Sequence, residues 1–336
     1  MKKFLILIGM VIIAWICVHA WYSGELAAVD QSQVRTVFKI DKGASTAQIA
    51  TDLYAQKLIR SPFAFKVYVK MNGKAGLLKA GSFVVNSSMT TPAIVDALIG
   101  GKSAEEIITI PEGFTVEDID ALLAKKGIIQ AGDVTHCAQT CDFSSFTFLP
   151  KNSSLAERGG KVEGYLFPDT YYVTLDDFVV KFFVERLLTT FRHRVIENFA
   201  TDIKSSKRSL NDIITMASLI EEETRNPNER ATVAGILWKR LDKKMGLGVD
   251  ASVRYLTDKK SEALTESDLQ IDSPYNLRKF NGLPPGPIAS PSLSSIEAAL
   301  HPKDSPYFYY LHDKDGVIHY AVTNDEHNAN RAKYLQ

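Results

Sequence analysis

The sequence predicts an α+β protein tethered to a membrane by one N-terminal helix. Three observations predict it. An uninterrupted apolar stretch at residues 4–22 follows two lysines, and a strand–turn–helix unit occurs twice between residues 37 and 129. Beyond about residue 161, helix signals alternate with aromatic-rich loops. At 336 residues, 45% hydrophobic and 23% charged, the chain has globular composition and enough length for two cores. Its 39 basic and 39 acidic side chains balance, which argues against nucleic acid as a partner.

The first element, residues 1–23, reads as a transmembrane anchor. FLILIGMVIIAWICVHAWY, residues 4–22, has His19 as its one strongly polar member. At helical rise it spans about 28 Å, near the hydrocarbon thickness of a bilayer. Lys2 and Lys3 precede it while Glu25 and Asp30 follow, so the positive-inside bias places the N-terminus in the cytoplasm and the rest outside. Trp21 and Tyr22 suit the outer interface. The rival is a cleaved signal peptide ending at Val18-His19-Ala20; either way the chain is exported.

Residues 24–130 form the second element. VFKIDKGASTAQIATDLYAQKLI (37–59) aligns without gaps to IITIPEGFTVEDIDALLAKKGII (107–129). Each copy predicts a short strand, a turn at Gly43 or Gly113, and a helix capped by Ser45 or Thr115. Ile49 and Leu53, or Ile119 and Leu123, make its apolar face. Between the copies, residues 81–102 read as a strand, a helix started by Thr91-Pro92, and a Gly100-Gly101 stop. The pattern resembles the LysM module, a small α/β fold that binds N-acetylated glycans; a plain spacer domain is the alternative. Residues 131–160, rich in Ser, Thr, Asn and Gly, read as a loop-rich joint with a short strand or hairpin. Within it, Cys137 and Cys141 are placed to close a local disulfide, with no catalytic role.

Residues 161–336 are expected to form the larger, mixed α+β catalytic domain. Here SLNDIITMASLIEEET starts with a capping-box pair, Ser209 and Asp212, and predicts a helix over about 210–224. At about 100° per residue, Leu210, Ile213, Ile214, Ala217 and Ile220 share one side, and Glu221 falls near the middle of that stripe. Glu222 and Glu223 turn toward opposite flanks. A carboxylate on an apolar stripe is costly unless paired or neutral, and burial there would suit a general acid. The helix alone leaves open a glutamate at a fraying end that simply reaches solvent. Two further stretches combine aromatic and polar groups as a glycan site requires: EGYLFPDTYYV (163–173), and VDASVRYL with SPYNLRKFNGLPPGPIASP (249–256, 273–291).

Other motifs are set aside. GLGVDA, 246–251, fits GxGxxA but follows a basic helix begun by Asn226-Pro227 rather than a strand, so it reads as a helix stop and loop. The seven histidines show no metal-ligand spacing, and His319 and His327 read as structural or substrate-side groups. Trp238 reads as core.

ASLIEEET, EGYLFPDTY, the Asp250–Tyr255 segment, SPYNLRKFNGLPPGPIASP, AALHP and the closing EHNA, in this order, resemble the YceG-like family of membrane-anchored endolytic murein transglycosylases. The resemblance runs from the anchor to the last helix. It departs at Glu222, Ala251 and Leu256, where the family commonly has lysine, proline and glycine. It implies cleavage of the β-1,4 bond between N-acetylmuramic acid and N-acetylglucosamine within peptidoglycan strands, leaving 1,6-anhydro ends. It makes Glu221 the catalytic residue, acid and then base. Glu163, Tyr165, Asp169, Asp250, Ser252, Tyr275 and Asn276 are expected to position sugars or orient partner groups. No cofactor or metal is implied. The expected setting is the bacterial inner membrane, single-pass, acting on nascent strands beside peptidoglycan synthases. A glycoside hydrolase would need a second carboxylate, for which Glu163, Asp169 and Asp250 are available, and a non-catalytic glycan-binding scaffold would need none.

Overall fold

The computed structural model describes residues 2–34, 36–100, 105–151, 158–175, 178–224, 226–257, 259 and 263–335. It is a mixed α+β protein beginning with the helix α1, Lys2–Glu25. Leu7–Glu25 of α1 is long and apolar enough to cross a membrane, and none of that stretch is buried by the rest of the chain. The chain divides into two compact units. One comprises Met1–Ile108 and Tyr172–Phe178, the other Thr109–Tyr171 and Val179–Gln336.

In the first unit, β1 (Thr36–Ile40), α2 (Thr46–Ala55), α3 (Pro62–Met71), β2 (Gly81–Val85) and α4 (Thr91–Gly100) follow one another. β1 and β2 are antiparallel, with Phe38 opposite Phe83. Alternate side chains Phe38, Ile40, Phe83 and Val85 enter a core closed by Ile49, Leu53, Phe65, Val69, Ile94 and Leu98 from the helices. Local chemistry sets each start: Ser45 caps α2 by accepting from the Gln48 N–H, and Ser61 with Pro62 opens α3. α4 ends at Gly100; Gly101 of the expected stop lies outside the described residues.

The second copy of the repeat forms the same local pieces. β3 (Glu105–Thr109) leads through Gly113, φ +77°, to α5 (Val116–Lys125), where Thr115 and Asp118 make a reciprocal capping box. The unit boundary nevertheless falls at Ile108–Thr109, inside this copy, and not at residue 130. The reason is what α5 packs against. Buried Asp120 accepts hydrogen bonds from Gly132 and Val134 at the start of α6 (Asp133–Thr140), which ties the two helices together. α6 also corrects the loop-rich joint expected over 131–160. Its polar composition hides Val134, Cys137 and Ala138, which share one buried face. Cys137 and Cys141 form a disulfide at its end. No strand or hairpin occurs there among the described residues; 152–157 lie outside them.

β3 pairs with β4 (Thr170–Thr174), and α7 (Val180–Phe191) runs into a π-helical turn at Arg192–Glu197 and α8 (Ala200–Ser205). α9 (Leu210–Glu223) is the central helix, with Ile213 to Ile220 buried on every side. α10 (Pro227–Asp242), α11 (Asp250–Thr257) and α13 (Leu293–Leu300) pack against it. α12 (Glu266–Leu269) lies between α11 and α13 in sequence. The chain closes with the hairpin β5–β6 (Tyr309–His312, Ile318–Ala321) and α14 (Asn324–Tyr334). α11 stands where a loop was expected after residue 249. Trp238 is core, its indole donating to the Ala299 carbonyl at 3.0 Å.

α10 and the chain after α13 touch at backbone distance. Lys303 N–H donates to the Ala231 carbonyl at 2.8 Å, and a Cβ on Gly235 would overlap the Lys303 carbonyl oxygen. Gly235→Ala is therefore expected to lower stability by about 2 kcal/mol. Thermal unfolding of the full chain in detergent reads this out; an unchanged midpoint would mean the crossing opens freely.

Candidate active site

α9 ends because Thr224 leaves the helical conformation while its N–H and hydroxyl both turn back to the Ile220 carbonyl. The last turn therefore presents Glu221, Glu222 and Glu223 in three directions. Glu221 faces inward, with its side chain 7% exposed. Arg230 donates to Oε1 at 2.8 Å, and the Ser292 N–H donates to Oε2 at 2.8 Å. The Ser292 hydroxyl donates to the same Oε2.

Each partner is delivered by a helix start. Asn226 caps α10 and Pro227 opens it, which puts Arg230 one turn in, with its side chain 6% exposed. Ser292 is the N-cap of α13, so its N–H and the positive end of that helix meet the carboxylate together. Arg230 also donates to the hydroxyls of Ser292 (2.6 Å) and Ser294. The carboxylate thus lies on the stripe, as the helical projection placed it, and is paired rather than isolated. Arg230, Ser292 and Ser294 were not singled out from sequence. The N-cap pattern before LSSIEAAL was readable, but nothing local linked it to Glu221.

Glu222 is exposed and lies beside Gly113, its Oε1 occupying the space a Cβ there would take. It lines a small cavity with Gly113, Thr115, Arg158, Ala251 and Tyr255. Glu223 turns to the other flank, where Tyr310 donates to it at 2.9 Å. Burial pushes its carboxyl above the ordinary range, a shift that the Tyr310 hydrogen bond opposes. With Arg240, Arg278, Tyr309 and His327 it lines a cavity of about 570 Å³. His327 stacks on Tyr309, while His319 stacks on Tyr334 and pairs with Asp313.

The structure gathers few of the other expected residues around Glu221. Glu163 is buried, accepts from the Val116 N–H at 3.2 Å at the start of α5, and receives the Tyr255 hydroxyl at 3.3 Å. Burial, outweighing these bonds, pushes its carboxyl up to about 8. Tyr165 is a correction: it is 0% exposed, packs on Phe148 and Phe191, and donates to Asn211, with no surface open to a glycan. Ser252, Tyr275 and Asn276 are likewise buried. Ser252 bridges the Val249 carbonyl and the Leu277 N–H, and Asn276 donates to the Leu269 and Ile271 carbonyls. Tyr275 packs against Tyr255. These three shape the 273–280 loop; the polar atoms of Ser252 and Asn276 satisfy buried backbone. Asp169 and Asp250 reach the surface in ion pairs with Arg194 and Arg278.

The comparisons with known proteins bear on this arrangement. The sequence model of the YceG-like family matches residues 38–333. An endolytic murein transglycosylase of Bacillus subtilis is 34% identical over 323 residues, which is 92% of this chain and 88% of that protein. One of Streptococcus pneumoniae is 29% identical over 88% of this chain, which spans 58% of the pneumococcal protein. A crystal structure of a YceG-like protein from Listeria monocytogenes superposes with a TM-score of 0.62 at 32% identity, covering 89% of this chain and 99% of that one.

Two expectations follow from the geometry. Arg230→Met leaves the Glu221 charge buried without its cation, which is expected to cost about 3 kcal/mol, whereas Glu221→Met with Arg230→Met recovers more than half of that. Urea unfolding of the set decides; a double variant as damaged as the sum of the singles would mean the pair is not coupled. For Glu163, the folded chain keeps a proton that the unfolded chain, near the ordinary 4.5, has released. Its stabilisation is full below about 4.5 and is lost as pH rises through about 8. The stability of Glu163→Gln relative to the parent is thus expected to improve by about 1 kcal/mol per pH unit across that window. A pH-independent difference in melting would count against a neutral Glu163.

Proposed function

This chain belongs to the YceG-like family, and we propose that it is a membrane-anchored endolytic murein transglycosylase. It cleaves the β-1,4 bond between N-acetylmuramic acid and N-acetylglucosamine inside a peptidoglycan strand and leaves a 1,6-anhydro-muramyl end. The observation that carries the reading is the buried Glu221 carboxylate, held on both oxygens by Arg230 and Ser292, in a chain 34% identical to a relative bearing that name.

The chemistry requires a proton for the departing O4, negative charge beside the oxocarbenium-like C1, and an acceptor for the C6 hydroxyl proton. Glu221 is the reacting carboxyl. It gives its proton to O4 as the bond breaks; the carboxylate so formed then opposes the positive charge developing on the sugar and takes up the C6 proton as the anhydro ring closes. Arg230 and Ser292 hold it in one orientation, so little reorganisation is needed as charge develops. With a single carboxyl, Glu221 serves first as acid and then as base.

The N-terminal helix, apolar and uncovered, supports anchoring in the inner membrane, and the two lysines before it support a cytoplasmic N-terminus with the catalytic unit outside. The small unit is assigned a LysM-like glycan-binding role on its sequence pattern. Nascent strands beside the synthases are the substrate this setting would supply.

Mass spectrometry of products from purified glycan strands tests the reading. The full chain in detergent is expected to release anhydro-ended fragments, and Glu221→Gln to lower the rate by roughly 10³-fold. Hydrated reducing ends would make the protein a hydrolase. Binding of strands without cleavage by either protein would make it a scaffold.

A further inference from the structure

The turn of α9 that carries Glu221 also borders, through Glu223, a cationic cavity that the reaction leaves unused. This cavity of about 570 Å³ has the size of a small-ligand site and lies among the ends of α9 and α10, β5 and α14. Its own carboxyls are already engaged. Asp250 pairs with Arg278 at 2.5 Å, and Tyr310 donates to Glu223 at 2.9 Å. Burial raises the Glu223 carboxyl, which favours its neutral form.

Two arginines in the lining, Arg240 and Arg331, differ from Arg278: among the described residues, neither forms an ion pair. Arg240 lies over the Tyr309 ring, 5.6 Å from its centroid, and His327 stacks on the same ring at 5.3 Å. Arg331 follows His327 by one turn along the same face of α14. The four side chains therefore make one wall of the cavity. Arg240 Nε and His327 Nδ1 are buried there, and among the described residues neither has a hydrogen-bond partner. Burial, helped by the charges of Arg331 and Arg240, lowers the His327 pKa, so its ring adds no charge at neutral pH. The wall thus offers two uncompensated guanidinium groups, whose planar forks match a carboxylate, and a buried donor is costly to leave unpaired.

The location says which carboxylate is within reach. Two residues turn a helix by about 200°, so Glu221 and Glu223 leave nearly opposite flanks of a cylinder roughly 10–12 Å across. Muramic acid carries a short peptide on its lactyl group. Four extended residues reach about 13–14 Å, enough to pass round the end of α9 from a sugar held at Glu221.

We propose that this cavity binds a carboxylate of the peptide borne by the glycan strand, through Arg240 and Arg331. The identity of the ligand rests on the transglycosylase reading. The cavity then selects strands that still carry their peptides, apart from the chemistry at Glu221.

Isothermal titration calorimetry on the full chain in detergent tests this with three probes. They are MurNAc-L-Ala-D-Glu-L-Lys-D-Ala, the same compound with its carboxyls amidated, and MurNAc alone, which keeps only the lactyl carboxylate. None contains a bond between sugars, so binding is read without turnover. The tetrapeptide probe is expected to bind roughly tenfold or more tightly than either of the others. Arg240→Gln and Arg331→Gln are each expected to weaken it by roughly tenfold and to leave the amidated probe unaffected. Arg331 is exposed in the last turn of α14, so its variant keeps the test decisive if Arg240→Gln fails to fold. Equal affinity for the tetrapeptide and its amide would overturn the proposal, as would no binding of the tetrapeptide. MurNAc binding as tightly as the tetrapeptide would also overturn it, by making the lactyl carboxylate the ligand. So would an equal loss in Lys207→Gln, which removes an exposed charge outside the cavity, because that would mean general charge attraction. Failure of the parent to leave anhydro ends on native strands would instead overturn the transglycosylase reading, with these affinities still measurable.

Discussion

Burying a carboxylate costs several kcal/mol unless a cation and hydrogen-bond donors meet it, and the last turn of α9 buries one. The surrounding architecture answers that demand. α10 has to begin four residues after α9 ends so that Arg230 returns to Glu221, and α13 has to be capped by Ser292 so that an N-cap and a helix terminus face the same oxygens. Arg230 then bridges to the hydroxyls of Ser292 and Ser294, so the ends of three helices share one charged junction. Gly235, which lets α10 lie against the backbone at Lys303, belongs to the same packing problem: without that approach α10 and α13 would stand further apart.

Much of this was legible wherever the cause is local. The capping box at Ser209–Asp212, the Thr115 cap, the Asn226-Pro227 start and the apolar periodicity of α9 each depend on residues within a turn of one another, and each element forms where it was expected. Glu221 was identifiable because a helix projection also needs only its own turn. Its partners were not, since Ser292 is 71 residues away and only packing brings it there. Composition misled in the opposite direction. Tyr165, Ser252 and Asn276 sit in polar, aromatic stretches that suggested a sugar site, yet their hydrogen-bonding atoms are spent on Asn211 and on backbone groups that would otherwise be buried unpaired.

The repeat shows how little a shared local code fixes about final position. Both copies build strand, glycine turn and capped helix, but α2 closes a core with β1 and β2 whereas α5 is tied to α6 through Asp120. The second copy also carries what the first lacks. Glu163 accepts from Val116 at the start of α5, and the glycine turn bears Glu112 where the first copy has Lys42. One unit of local structure thus serves as framework in one place and as the support of a buried carboxyl, Glu163, in the other.

The spacing of the junction along the chain has a kinetic meaning. Arg230 and Glu221 are 9 residues apart and can meet almost as soon as α9 and α10 form, but Ser292 closes the site only after a loop of 62 residues from Arg230 has been drawn in. In a chain that emerges N-terminus first, the small unit and the first two helices of the junction are in hand well before its third member arrives. Completion of the reactive carboxylate is therefore among the last events of folding, and a chain truncated before α13 would keep the glutamate while lacking the geometry that makes it useful.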